Sequence, residues 1–166
     1  MRTSMVFLLG LLVGLAVAFG LPTTHAQGIR IPEIEGVNHV GISLQNWDED
    51  FAFYTQKMGF REVFTQKNAQ GGIQFVFVQA GPSTFLELSP ANANRPAGIS
   101  HFGIGTKDIN AATAALRARG VTVSDPRSVG DQWMLGAATG PNNLRIEMYQ
   151  LGPESPLEKA TASFGK

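Results

Sequence analysis

The sequence His39-Val40-Gly41-Ile42 returns as His101-Phe102-Gly103-Ile104, 62 positions further along the chain. A helical pattern follows each copy and ends at a glycine, Gly59 in the first copy and Gly120 in the second. Three short extended segments come after each helix, separated by turns that contain Gly or Pro. Each copy therefore predicts a strand–helix–strand–strand–strand unit, and the chain predicts two such units in tandem.

Capping residues and glycines set the predicted boundaries. The first helix begins at Asn46 or Asp48 and ends near Met58, and the second is capped by Asp108 and spans Ile109–Arg119. The remaining strands are predicted at Phe60–Gln66, Ile73–Ala80, Thr84–Ser89, Val121–Ser124, Gln132–Ala137 and Leu144–Gln150.

Side-chain alternation gives each of four predicted strands one apolar face and one face with an ionisable residue. In the first strand, for example, Val40 and Ile42 lie opposite His39. The four ionisable residues are His39, Glu87, His101 and Glu147. Because a His and a Glu occupy equivalent places in both units, a pseudo-twofold arrangement would bring two imidazoles and two carboxylates together. That set suits one divalent ion (Zn, Ni, Co, Mn or Fe(II)), and the alternative is two buried His–Glu pairs without metal.

The composition excludes several classes of protein. The 166 residues include 13 Lys+Arg and 13 Asp+Glu, so the formal net charge is zero. The net charge therefore does not indicate binding to nucleic acid or to an anionic membrane surface. With 43% hydrophobic and 16% charged residues, the chain is not expected to be disordered. It contains no cysteine, which excludes disulfides, a thiol nucleophile and cysteine-ligated zinc or iron–sulfur centres.

The first residues have the pattern of a secretory leader. Arg2 precedes an uncharged run, Met5–Leu21, and small residues follow at Thr24 and Ala26. We expect a signal peptide over residues 1–26, cleavage near Ala26, and a periplasmic or secreted protein with no membrane attachment. The alternative is an uncleaved membrane anchor.

The rest of the chain is predicted to form one domain. Residues 27–36 are an N-terminal segment, 37–150 the domain with its modules 37–89 and 99–150, and 151–166 a tail to which we assign no function.

These features resemble the vicinal oxygen chelate superfamily, which includes glyoxalase I, methylmalonyl-CoA epimerase, extradiol dioxygenases and bleomycin- or fosfomycin-resistance proteins. The resemblance covers Val37 to about Gln150. The segments that carry it are Val37–Ile42, Phe53-Tyr54 with Met58–Phe60, Phe85–Leu88, Ile99–Ile104 and Gly140–Glu147. It implies an α+β fold in which tandem βαβββ modules form a mixed sheet curled into a cup, with helices outside and the metal on the concave face.

The resemblance also implies roles for individual residues. The metal ligands would be His39, Glu87, His101 and Glu147, a set like that of glyoxalase I. A divalent ion that chelates two adjacent substrate oxygens would stabilise an enediolate, and a carboxylate beside it would act as general base. Glu147 is the first candidate for that base and Glu87 the second.

Other residues on the same faces are candidate substrate contacts. Arg145 shares a face with Glu147 and either holds a substrate carboxylate or forms a cross-strand ion pair. Tyr149 and Trp133 either wall a pocket or belong to the core. The first strand lacks the Arg with which glutathione-using relatives grip their substrate, so we do not expect lactoylglutathione lyase activity.

Three functional hypotheses follow. The first is an exported, metal-dependent isomerase, epimerase or lyase that acts on a small molecule with vicinal oxygens. The second is an Fe(II) dioxygenase of the extradiol type, and the third is a resistance-type protein that sequesters a ligand without turnover. The resemblance also implies a homodimer.

Overall fold

The computed structural model describes residues 30–130 and 132–166, so the expected leader at 1–26 lies outside the described residues. Eight strands form one mixed sheet in the order β2-β3-β4-β1-β5-β8-β7-β6. The strands are β1 (Ile34–Leu44), β2 (Arg61–Lys67), β3 (Ile73–Gly81), β4 (Thr84–Pro90), β5 (Gly98–Thr106), β6 (Arg127–Val129), β7 (Trp133–Thr139) and β8 (Arg145–Leu151).

The sheet consists of two modules joined at a seam. Strand β4 runs parallel to β1 in the first module, and β8 runs parallel to β5 in the second. At the seam, β1 and β5 pair antiparallel, as a pseudo-twofold axis between the modules requires. The sheet curls into a half-barrel with the two crossover helices outside it, so the predicted α+β fold of tandem βαβββ modules is confirmed.

The two crossover helices begin and end close to the predicted positions. Helix α1 (Trp47–Ala52) continues as a π-helical turn over Phe53–Lys57, and helix α2 spans Ile109–Arg117. The Asp108 side chain accepts hydrogen bonds from the backbone N–H groups of Asn110 and Ala111, which confirms the predicted cap. At the first helix, by contrast, Asn46 makes no side-chain cap hydrogen bond.

Each helix covers the convex face of its own module, but with different side chains. In the first module aromatic residues pack on the buried sheet residues, and in the second module small and aliphatic residues do so. The aromatic residues are Trp47, Phe51, Tyr54 and Phe60. An apolar cavity of about 650 Å³, open to the surface, lies on the second module and is lined by Leu116, Val121 and Ile146, among others.

The predicted strand at Val121–Ser124 is wrong. That segment makes only an isolated bridge between Val123 and Ala138. The strand that follows the second helix is β6, which begins a few residues later and pairs with β7. Pro126 lies between the two segments, and since proline has no backbone N–H, it interrupts strand pairing there.

Residues 151–166 differ from the expected tail. They contain helix α3 (Pro156–Ala162), whose N-terminus is capped by the Ser155 hydroxyl, accepting from the Glu158 N–H at 3.1 Å. Leu157 is fully buried against Phe77 and Phe85 on the concave face. Two buried residues in a seven-residue helix produce too short a periodicity to be recognised in the sequence.

Within the described part of the chain, no helix has both the length and the apolar character needed to span a membrane.

Candidate metal centre

The two histidines face each other across the seam. His39 on β1 is paired in register with Gly103 on β5, and His101 on β5 is paired with Gly41 on β1. Each imidazole lies over the opposing glycine: a Cβ on Gly103 would come within 2.0 Å of His39 Cε1, and a Cβ on Gly41 within 2.0 Å of His101 Cε1. The two Nε2 atoms are 3.2 Å apart. The glycines of the duplicated motif therefore provide the space that lets the two rings meet.

The carboxylates reach the same point from the next strands outward. Glu87 on β4 is in register with Gly41, and Glu147 on β8 is in register with Gly103. Glu87 Oε2 lies 3.7 Å from His101 Nε2, and Glu147 Oε2 lies 3.8 Å from both His Nε2 atoms. Across the sheet, Glu87, Gly41 and His101 thus form one row of neighbouring residues. His39, Gly103 and Glu147 form the adjacent row. In each row the acid and the imidazole meet above the glycine between them.

This donor set fits a divalent ion. One nitrogen or oxygen atom from each of the four residues lies within 4.8 Å of the others. Two ligand atoms about 2.0–2.1 Å from a common ion are about 3.3 Å apart at a tetrahedral angle, close to the separations of 3.2 to 3.8 Å found here. Two imidazole nitrogens and two carboxylate oxygens suit Zn, Ni, Co, Mn or Fe(II). The structure brings all four predicted residues together, and their role as ligands stays a prediction.

The two imidazoles have different electrostatic surroundings. Burial lowers the pKa of His39 from 6.5 to about 4, although the charge of Glu87 acts in the opposite direction. Burial also acts to lower the pKa of His101, but the nearby carboxylates of Glu87 and Glu147 favour its charged form, outweigh this effect and raise the pKa. His39 is therefore neutral at pH 7 without metal, and its lone pair is available to a cation.

The Nδ1 atom of each histidine has a polar neighbour that the sequence analysis missed. Asn38 Oδ1 lies 3.1 Å from His39 Nδ1, and Ser100 Oγ lies 2.9 Å from His101 Nδ1. The available signal was a polar residue directly before each histidine of the repeat. It was missed because strict alternation places neighbouring residues on opposite faces of a strand.

The three candidate substrate residues lie on the concave face at different depths. Arg145 is about half exposed, and its Nε donates to Glu147 Oε1 at 2.8 Å, along the strand rather than across it. Tyr149 and Trp133 are buried, with ring centroids 5.9 Å apart, and the Tyr149 ring lies 4.9 Å from that of His39. Burial and the charges of Glu87 and Glu147 raise the pKa of Tyr149, which keeps its phenol neutral. Their contact with substrate stays a prediction.

Comparison with known proteins supports the assignment of the fold. A 2-epi-5-epi-valiolone epimerase from an Actinomyces species is 27% identical over an alignment of 165 residues. The match covers 81% of this chain and 89% of that protein. Methylmalonyl-CoA epimerase from Mycobacterium tuberculosis has a TM-score of 0.62 at 21% identity, covering 78% of this chain and 97% of that one. Methylmalonyl-CoA epimerase from Streptomyces coelicolor, in complex with 2-nitronate-propionyl-CoA, has a TM-score of 0.57 at 20% identity. The match covers 70% of this chain and 97% of that one.

The sequence profile of one superfamily matches residues 36–148, a span that includes both modules and all four clustered residues. With the tandem modules and the seam between them, this match establishes that the chain belongs to the Glyoxalase/Bleomycin resistance protein/Dioxygenase superfamily.

Proposed function

We propose that this chain is a metal-dependent isomerase of the epimerase type, which moves a proton at a carbon next to a carbonyl in a small substrate with vicinal oxygens. The observation that carries the proposal is the buried cluster of two histidines and two glutamates at the seam. The names of the related epimerases support isomerase chemistry over lyase chemistry.

His39, Glu87, His101 and Glu147 would hold the ion. A bound divalent cation supplies positive charge that stabilises the negative charge developing on adjacent substrate oxygens during deprotonation. The surrounding side chains exclude water: Phe77 and Tyr149 pack against the His39 ring with centroid distances of 5.4 and 4.9 Å. In such a site of low polarity, the charge interaction is stronger than in bulk water.

An epimerase removes a proton from one face of a carbon and returns one to the opposite face, a task that suits two acid–base groups. Glu87 and Glu147 are such groups, because they come from different modules and lie on the two strands that flank the seam, Glu87 on β4 and Glu147 on β8. A substrate carbon held between them would have a carboxylate on each side.

The two carboxylates are not equally restrained. Arg145 holds Oε1 of Glu147 at 2.8 Å and leaves Oε2 facing the histidines. Glu87 makes no ion pair with Arg or Lys among the described residues, so it is the freer of the two to move toward a substrate. We therefore place Glu87 first as the base that removes the proton and Glu147 second, the reverse of the order implied by the sequence resemblance.

The remaining candidates support a proposal about the substrate class. The exposed edge of the Arg145 guanidinium would bind a substrate carboxylate or other anionic oxygen, while Tyr149 and Trp133 form the floor beneath it. The substrate is thus a small carbonyl compound with a second oxygen on the adjacent carbon or on a nearby carboxylate.

Metal analysis and proton exchange test this proposal together. The chain from Gln27 onward, purified and loaded in turn with Zn, Ni, Co and Mn, should bind one ion. In heavy water it should incorporate deuterium at the epimerised carbon of 2-epi-5-epi-valiolone or methylmalonyl-CoA. Incorporation should stop when the metal is removed with a chelator. The exposed carboxylate of Glu62 on β2 offers a control, since Glu62→Gln should change neither metal content nor exchange.

Two outcomes would contradict the proposal. Oxygen consumption with a catechol in the Fe(II)-loaded protein, without proton exchange, would support the dioxygenase alternative. Tight binding of either compound without metal or exchange would support the sequestering alternative.

We also propose that the protein is exported and forms a homodimer. Support for export is the leader pattern over residues 1–26, and N-terminal sequencing of the cell-derived protein should begin near Gln27. Support for the dimer is the exposure of large apolar side chains on the two seam strands, Val37 at 54% and Ile99 at 71%. Light scattering on the purified chain should give twice the monomer mass.

A further inference from the structure

The residue directly before each histidine lies at a bulge in the seam. Along β1, Val37 pairs with Ile104 and His39 with Gly103, so Asn38 has no partner of its own. Along β5, Gly41 pairs with His101 and Ile42 with Ile99, so Ser100 has none either. Each strand therefore carries an extra residue directly before its histidine.

The bulges change which way these two side chains point. In a regular strand Asn38 and His39 would face opposite sides of the sheet, but a bulge allows neighbouring side chains to lie on the same side. As a result Asn38 Oδ1 reaches His39 Nδ1 at 3.1 Å, and Ser100 Oγ reaches His101 Nδ1 at 2.9 Å. The same contact thus occurs twice, once in each module, with different chemical groups.

An oxygen at Nδ1 determines which ring nitrogen carries the proton. The amide oxygen of Asn38 only accepts hydrogen bonds, so it selects the imidazole tautomer with hydrogen on Nδ1 and a lone pair on Nε2. Nε2 is the atom that faces the other histidine at 3.2 Å and the carboxylate oxygens at 3.7 to 3.8 Å. The hydrogen bond at Nδ1 therefore leaves Nε2 of His39 with the lone pair that can bind a cation.

We infer that the paired bulges at Asn38 and Ser100 are positioning devices: each holds its imidazole by Nδ1 so that Nε2 points to the centre of the site. The inference rests on the metal centre of the proposed function. It assigns two positioning residues outside the four-ligand set and explains why the bulges occur in both modules.

The two devices differ in strength. Asn38 is 8% exposed, and its oxygen offers the ring only an acceptor. The Ser100 hydroxyl can rotate and either accept from Nδ1–H or donate to Nδ1, so it permits both tautomers of His101. Loss of Asn38 should therefore weaken metal binding more than loss of Ser100.

The experiment measures the tautomer and the metal affinity separately. Nitrogen-15 NMR of the metal-free protein, labelled at histidine, should show His39 protonated at Nδ1 in the wild type and a mixture of tautomers in Asn38→Leu. Competition titration with Zn²⁺ and Co²⁺ should show the dissociation constant of Asn38→Leu raised about 10- to 100-fold, and that of Ser100→Ala raised less. Asn38→Asp and Ser100→Thr, which keep an acceptor oxygen, should restore both measurements.

Ser43 provides a matched control. It is a buried serine on the same strand as His39, and its hydroxyl has no hydrogen-bond partner among the described residues. Ser43→Ala removes a buried hydroxyl without touching either imidazole, so it should leave the tautomers and the metal affinity unchanged.

A wild-type His39 protonated mainly at Nε2, or an Asn38→Leu variant that binds Zn²⁺ and Co²⁺ as tightly as the wild type, would overturn the inference. Failure of the wild type to bind any of the metals would instead overturn the proposed function. The tautomer measured without metal would still decide the inference about Asn38 and Ser100.

Discussion

In the first module His39 is fully buried, is neutral at pH 7 without metal, and has an amide oxygen behind it. In the second module His101 is slightly exposed, its pKa is raised, and it has a hydroxyl behind it. The acids differ in the opposite sense, since Glu147 is held by Arg145, whereas Glu87 has no Arg or Lys partner within residues 30–130 and 132–166. Each module thus contributes one strongly held group and one less constrained group to the site.

The convex faces of the modules also differ. Aromatic side chains fill the space between α1 and the first half of the sheet, while α2 leaves an apolar cavity of about 650 Å³ over the second half. What both modules retain is the row of Glu, Gly and His that forms the centre. The two modules therefore share the register of these rows and differ in the packing behind them.

The largest expected effect concerns the two acids. At saturating metal, Glu87→Gln should lower the rate of deuterium incorporation about 100- to 10,000-fold, because the amide cannot accept the proton. Glu147→Gln should have the smaller effect on exchange but should weaken metal binding more, since Arg145 holds Glu147 in place beside the histidines. A reversed pattern in the two variants would show that Arg145 does not decide which acid moves.

The next effect concerns the two histidines in the metal-free protein. The folded pKa of His39, about 4, lies below its unfolded value of 6.5, so protonation favours the unfolded chain. Its contribution is complete above pH 6.5 and falls by up to about 3 kcal/mol as the pH drops toward 4. The raised pKa of His101 has the opposite sign: its stabilisation is present below the unfolded pKa and is lost as the pH rises through the folded value.

Urea unfolding with a chelator, from about pH 7 to about pH 4.5, measures this difference. His39→Gln should reduce the loss of stability in acid, and His101→Gln should increase it. Equal pH dependence in both variants would mean that the two modules do not differ in this respect.

A third effect concerns the glycines across the seam. Gly103→Ala places a methyl group within 2.0 Å of the His39 ring, which is enclosed by Phe77 and Tyr149, so metal affinity should fall about 100-fold. Gly41→Ala acts on the more exposed His101, so it should lower the metal affinity only about tenfold. In Gly105→Ala, the control, the new methyl group meets Glu35 Oε2 at an ordinary 3.5 Å. Unchanged affinity in Gly103→Ala would argue against the ring's position over the glycine.

The smallest effect concerns the convex cores. Val121→Ile adds a methylene to the cavity of the second module and should stabilise the fold by about 0.5 kcal/mol. Val78→Ile adds the same group to the tightly packed first module and should destabilise it by about 1 kcal/mol. Thermal unfolding of both variants measures the contrast, and a gain from both substitutions would show that the first module also has spare volume.

Much of this architecture could be predicted because the duplicated motif is local in the sequence. The repeat identified the seam strands, and alternation placed His39, Glu87, His101 and Glu147 on one face, where the structure has them together. The Gly at the second position after each His was also visible in the sequence. Its function as space for the other histidine depends on the antiparallel pairing of β1 and β5, which the sequence does not display.

Other features could not be predicted because they depend on tertiary pairing. The bulges at Asn38 and Ser100 violate the alternation on which the strand analysis relied. Helix α3 is stabilised by burying Leu157 against Phe77 and Phe85, two residues far away in sequence. The place of Arg145 beside Glu147 was predicted, but the ion pair runs along β8 at 2.8 Å rather than across strands as expected, and the contact of Arg145 with substrate stays a prediction.

The seam between β1 and β5 has a consequence for how the protein responds to metal supply. Neither half of the chain holds more than one imidazole and one carboxylate of the cluster, so an ion there would add a cross-link between two modules that the β1–β5 pairing already joins. Since a ligand that binds only the folded form stabilises that form by an amount that rises with the logarithm of its concentration relative to Kd, scarcity of the ion would lower the free energy of unfolding as well as the activity.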